Sequence, residues 1–137
     1  MGILDLFGKK DVSSDLTKKI PYLIKYRFSP YRLLANQNNS VRLFLDIKNA
    51  TGEPLMTSVV VKVPKGLGFD QTCLSQAREI RMGNLAPKEE KEIEIDVFGR
   101  IGTRSAEYKI LITAFSHYRD YAHILNSESK KVGLRVV

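Results

Sequence analysis

Two histidines and an aspartate fall close together late in the chain, His117, Asp120 and His123. Imidazole and carboxylate are good zinc donors, so a His-x-x-Asp-x-x-His run on a loop would offer a weak metal site. Zinc normally takes three or four ligands at tighter spacing, and neither a metal nor another cofactor is expected. Ser116 adjoins His117, the one neighbouring pair with the residue types of a nucleophile and its base. Adjacent strand residues point to opposite faces, and no Gly-x-Ser-x-Gly elbow supplies an oxyanion site. Cys73 is the single cysteine, which excludes an intramolecular disulfide and agrees with a reducing compartment. It also lacks the partner groups that make a thiol reactive.

The acids Glu89, Glu90, Glu92, Glu94 and Asp96 have the oxygen chemistry of a calcium site. Calcium needs oxygens that converge. Here Glu92, Glu94 and Asp96 alternate with apolar residues, which places them side by side on the solvent face of one strand. They repel unless lysines or arginines on neighbouring strands balance them. The run Gly66-Leu67-Gly68 is too short for a phosphate loop and follows a proline. No catalytic residue is therefore assigned, and the chain reads as a non-enzyme.

Binding chemistry is better represented. The formal net charge is +7. Cations crowd the first quarter (Lys9, Lys10, Lys18, Lys19, Lys25, Arg27, Arg32) and the last third (Arg100, Arg104, Lys109, Arg119, Lys130, Lys131, Arg135). Such asymmetry bears on partners rather than fold. Tyr118, Arg119 and Tyr121, beside the histidines, form a candidate protein-binding group. Tyr26 and Arg27 form a second, within a stripe that also holds Tyr22, Lys25, Phe28, Tyr31 and Arg32. Basic residues interleaved with exposed aromatics would suit single-stranded nucleic acid, but half of these aromatics fit a core, and nucleic acid is not expected. Residues 1–19 form an appendage. On a helical wheel Ile3, Leu4, Leu6 and Phe7 share a side, followed by Lys9 and Lys10, a pattern suited to an anionic membrane interface. Leu6 stands where a myristoylation motif needs Ser or Thr. There is no long apolar run for a membrane span and no secretory signal, so the expected location is cytoplasmic, with a peripheral position on the membrane's cytoplasmic face as the alternative.

The elements that would position these groups are strands. Val41, Leu43, Leu45 and Ile47 alternate with Arg42, Phe44, Asp46 and Lys48, the period of a half-buried strand. The same period recurs at Val59, Val61 and Val63, at Ile93, Ile95 and Val97, and at Tyr108, Ile110, Ile112 and Ala114. Turns carrying Gly, Pro and Asn separate them. A first strand over 22–28 is broken by Ser29-Pro30 and suits an edge, since proline cannot donate to a ladder. Residues 71–78 read as a helical turn or crossover, 80–85 as a short strand, 117–130 as a long connection, and 131–137 as the last strand. The whole is an all-β antiparallel sandwich of about seven strands over 20–137, with 1–19 as its appendage.

The turns also resemble a known family. A strand ending in Asn49 is followed by Gly52-Glu53-Pro54. Val61-Lys62-Val63-Pro64, Gly83-Asn84-Leu85-Ala86-Pro87 and Gly102 before Glu107-Tyr108 follow in order. This resembles the prokaryotic, including archaeal, immunoglobulin-like domains of the CARDB and alpha-galactosidase-associated type, and at fold level the adaptin appendage. The departures are Lys88 in place of the usual Gly in the second turn and a stretched spacing before Tyr108. The resemblance implies an immunoglobulin-like sandwich with a binding or spacer role. A tyrosine near the start of a late strand also fits a tyrosine corner, its hydroxyl returning to the backbone. The expected partners are a protein, an anionic membrane surface, or a second copy paired through an edge strand.

Overall fold

The computed structural model describes residues 20–137. The membrane candidates Ile3, Leu4, Leu6, Phe7, Lys9 and Lys10 lie outside the described residues. The described chain is all strand and turn, with no helix. The strands are β1 (Tyr22–Ser29), β2 (Arg32–Leu33), β3 (Asn39–Asn49), β4 (Leu55–Lys62), β5 (Leu67–Gly68), β6 (Ala77–Leu85), β7 (Glu90–Gly99), β8 (Ala106–His117) and β9 (Ile124–Val136). Seven are long and two contain two residues each. They form two sheets, a five-stranded one in the order β2-β9-β8-β4-β6 and a four-stranded one in the order β1-β3-β7-β5.

Alternation explains the layering. Val41, Leu43, Leu45 and Ile47 of β3 are buried, as are Ile95 and Val97 of β7. They meet Val59 and Val61 of β4, Ile110, Ile112 and Ala114 of β8, and Val132, Leu134 and Val136 of β9, in one core cluster. Each buried Val, Leu or Ile side chain contributes about 1.5–3 kcal/mol on burial. On the outer face of the four-stranded sheet, Arg42 sits opposite Asp96 and next to Glu94, with contacts of 3.0 and 3.4 Å. Arg27 reaches Glu92 at 4.0 Å. These arginines supply the cross-strand balance the acidic strand requires.

Proline marks the crossing from β1 to β2, which lie in different sheets. β1 pairs with β3 as far as Ser29. After Ser29-Pro30 the chain crosses, and Arg32 and Leu33 pair in parallel with Arg135 and Val136 of β9. Val137 then accepts from the Ala35 amide and donates to Leu33.

One segment differs from the sequence reading, and the structure decides between two alternatives for another. Residues 117–130 are not a long connection. β8 continues through His117, residues 118–123 turn, and β9 begins at Ile124 and pairs with β8 along its length. Asn126, Ser127, Ser129, Lys130 and Lys131 are exposed at the end of the sheet. With little core to face, this half of the strand shows no apolar alternation. Residues 71–78, read as a helical turn or a crossover, are the crossover, carrying the chain from β5 in one sheet to β6 in the other. Asp70 holds the amide of Thr72 in a tight turn, and β6 starts at Ala77 with an exposed Ala-Arg-Glu run.

Candidate functional site

The turn chemistry that fixes one end of the sandwich centres on Asn49, which is fully buried. Its side-chain amide donates to the carbonyls of Glu53, Leu85 and Ala86 at 2.7, 3.1 and 3.2 Å. Its carbonyl oxygen accepts from the Thr51 amide at 2.9 Å and the Thr51 hydroxyl at 2.6 Å. One side chain thus ties the 50–54 turn to the 85–89 turn, which is why the strand ends in asparagine.

The 118–123 turn lies at this same end. His117 is buried, its Nε2 2.7 Å from Ser58 Oγ. Its Nδ1 is buried without a hydrogen-bond partner among the described residues. Ser58 is the partner that sequence spacing could not reveal, because it lies on β4, across the ladder. Ser116, the sequence neighbour, donates instead to the Asn126 carbonyl at 3.4 Å. The Ser58–His117 pair is sealed beneath Tyr121, whose ring meets the imidazole edge-on at 5.0 Å. It therefore reads as core. His123 is exposed and bound to Asp120 at 2.8 Å, a hydrogen bond that holds the Asp120 carboxyl below its usual range. Among the described residues no group of three or more His, Cys, Asp or Glu side chains is placed to hold a metal ion.

The two binding groups are divided in character. Tyr121 is half-buried. Its hydroxyl accepts from the Gly83 amide at 2.9 Å, and Arg81 lies over its ring at 4.7 Å. Tyr118 is exposed, with Arg119 stacked on it at 5.0 Å. On β1, Arg27 lies on the outer face, its guanidinium 3.8 Å above the Phe44 ring. Tyr26 is on the inner face yet exposed, edge-on to Phe28 at 5.9 Å. Alternation places Tyr26 and Arg27 on opposite faces, so they are not one patch.

Among the described residues β1 is the edge of its sheet and pairs with β3 alone. Its Ile24 carbonyl accepts from Lys130 Nζ at 3.0 Å, and that ammonium also lies 5.4 Å above the Tyr26 ring. The Ile24 carbonyl therefore faces away from β3. In an antiparallel pair the outward groups recur every second residue, so Tyr22, Tyr26 and Phe28 also point their backbone groups outward. Lys130 comes from β9, the facing strand of the other sheet. β9 is itself paired on one side only, except at Arg135 and Val136. Among the described residues, one side of the sandwich thus carries two unpaired edges bridged by a lysine.

The tyrosine corner is present. Tyr108 donates to the Arg104 carbonyl at 2.8 Å. Cys73 is half-buried near the same end, and burial pushes its thiol up despite the nearby Arg100.

No protein-family model matches the chain, and no curated protein matches it. Solved structures do. Alpha-2-macroglobulin from Escherichia coli, from domain MG7 to the C-terminus, is 19% identical over 85% of this chain, with a TM-score of 0.62. The CARDB domain of a Pyrococcus furiosus protein is 17% identical over 86% of this chain and 90% of that one, with a TM-score of 0.51. The fold is the immunoglobulin-like sandwich. It is the one the turn motifs implied. This chain spans 16% of the macroglobulin chain. The Pyrococcus domain was solved in complex with two metal ions. AvmM, which catalyses macrocyclization in alchivemycin A biosynthesis, also matches at 10% identity over 85% of this chain and 88% of its own, with a TM-score of 0.52. One fold thus carries different activities, and function has to be argued from this chain's own surfaces.

Proposed function

We propose that the protein is a non-catalytic immunoglobulin-like module that binds another protein by taking an extended segment along the free edge of β1. The observation that carries this reading is the outward backbone of Tyr22, Ile24, Tyr26 and Phe28, which no strand pairs among the described residues. An added strand would satisfy those groups, and alternate side chains would meet exposed Leu23 on one face and exposed Tyr26 on the other. Lys130 guards this edge against indiscriminate pairing, as inward charges do on natural sheet edges. A partner strand replaces that single contact with a ladder. The enclosed Ser58–His117 pair, with no second orienting group, supports the non-catalytic part of the reading.

The test uses Tyr26→Pro. The Tyr26 amide faces away from β3, so proline removes an outward donor and adds bulk there without breaking the β1–β3 ladder. A partner captured by the wild-type protein should be lost from a folded Tyr26→Pro protein. Equal capture by both would refute edge addition.

A further inference from the structure

At the end of the sandwich opposite Asn49, the 63–66, 70–76 and 100–105 loops enclose a groove of about 640 Å³. Lys65, Arg100 and Arg104 line it, and no aspartate or glutamate does. None of the three cations takes part in an ion pair among the described residues. Leu74 and Ile101 also line it and are 81% and 67% exposed. Two bulky aliphatics thus stand in water beside three cations that have no carboxylate partner among the described residues, in contrast to Arg42, which two acids flank on the outer sheet face.

The walls are pre-set. Thr103 is buried, and its hydroxyl donates to the Gly66 carbonyl at 2.7 Å while accepting from the Arg100 amide at 3.0 Å. Asn36 accepts from the Gly102 amide at 2.8 Å. Arg100 Nη1 donates to the Thr72 carbonyl at 3.1 Å, joining the two walls. The hydroxyl of Tyr108 fixes Arg104 from below. Gly68 packs directly on the Cys73 backbone, where a Cβ would collide with Cys73 Cα. Asp70, the nearby acid, is held in its own turn by Thr72. The loops are thus pinned at their backbones and by one Arg100 nitrogen, while Ile101, Leu74 and the rest of the cationic lining face the groove, the arrangement that lowers the ordering cost of binding.

We infer that this groove binds an acidic protein segment that carries a bulky aliphatic residue. The guanidinium forks and the ammonium would take carboxylates, and Leu74 and Ile101 would cover the aliphatic side chain. The concavity favours a chain that enters it over a flat lipid surface that would rest across its rim. This site is separate from the β1 edge and does not depend on it.

The probe is a fluorescein-labelled peptide, Asp-Glu-Glu-Leu-Leu-Glu-Asp, titrated with the full chain by fluorescence anisotropy. Binding should weaken as ionic strength rises. Arg100→Ser with Arg104→Ser should weaken it at least tenfold, and Ile101→Ser roughly fivefold. Lys91→Ser with Lys131→Ser removes the same charge elsewhere and should change it less than twofold. Ile101 is exposed, so its variant keeps the fold. Tyr26→Pro should bind the peptide normally, which separates this site from the edge. Equal weakening by the two charge pairs would overturn the inference. So would equal affinity for a peptide with both leucines replaced by serine, or binding of phosphatidylcholine vesicles containing 30% phosphatidylserine with none of the peptide.

Discussion

Replacing Asn49 by alanine removes the side chain that joins the two turns at one end of the sandwich. The loss can be worked out from its contacts. Three carbonyls lose a donor, and the Thr51 amide and hydroxyl lose their acceptor. The Glu53 and Ala86 carbonyls keep other donors, from the Thr51 hydroxyl and the Glu89 amide. The buried carbonyl of Leu85 and the Thr51 amide carry most of the penalty. At about 1–3 kcal/mol for a buried group left unpaired, and about 1 kcal/mol for each bond that water can replace, the expected loss is roughly 3 kcal/mol. For a domain of this size that is a fall in melting temperature of about 10 °C. Asn49→Asp sharpens the test. It is nearly isosteric and keeps the acceptor for Thr51, but it turns the amide donor into a second acceptor facing three carbonyls. It should destabilise at least as much as alanine at pH 7. The assay is urea unfolding followed by circular dichroism. If either variant lies within about 0.5 kcal/mol of wild type, Asn49 does not hold the turns together and the account of this end is wrong.

Leu45 is fully buried between Tyr26 and Ile93, so Leu45→Asp buries an unpaired carboxylate. It should abolish the cooperative thermal transition, and a soluble, cooperatively folding variant would contradict the inward face of β3. Burial holds the Tyr22 hydroxyl protonated to higher pH than the ordinary value near 10, while its bond to Thr57 at 2.8 Å works in the opposite direction. The unfolded chain ionises first, so stability present below about pH 10 should be lost as pH rises through the folded value. Tyr22→Phe should show a shallower decline above pH 10 in denaturant titrations. An unchanged slope would show that Tyr22 is not the buried group responsible.

The legible parts of the fold were those whose side chains face a core. Val41 to Ile47 alternate because one side of β3 is buried against the other sheet, and that pattern fixed both strand and face. Tyr108 was readable as a corner because its position near a strand start allows one simple hydrogen bond, and the bond to Arg104 is there. The polar half of β9 was not readable. Its residues pair with β8 through backbone bonds that any side chain permits, and its polar run 126–131 looks like loop sequence. The same limit hid the Ser58–His117 contact, which depends on which strands are neighbours rather than on spacing along the chain. The groove was hidden for a related reason. Lys65, Leu74, Arg100, Ile101 and Arg104 come from separate loops, and only the topology brings them to one end. The cations of the last third were visible as an imbalance of charge, but their separation from the acidic face of β7 was not.

If β1 offers its free edge to a protein strand, blocking that edge must abolish capture of the partner. Full-length wild-type and Tyr26→Pro proteins, matched by circular dichroism, would be used as baits side by side in native lysate. A protein should be retained by wild type and absent with Tyr26→Pro. A partner held equally by both, or none held by either, would contradict it.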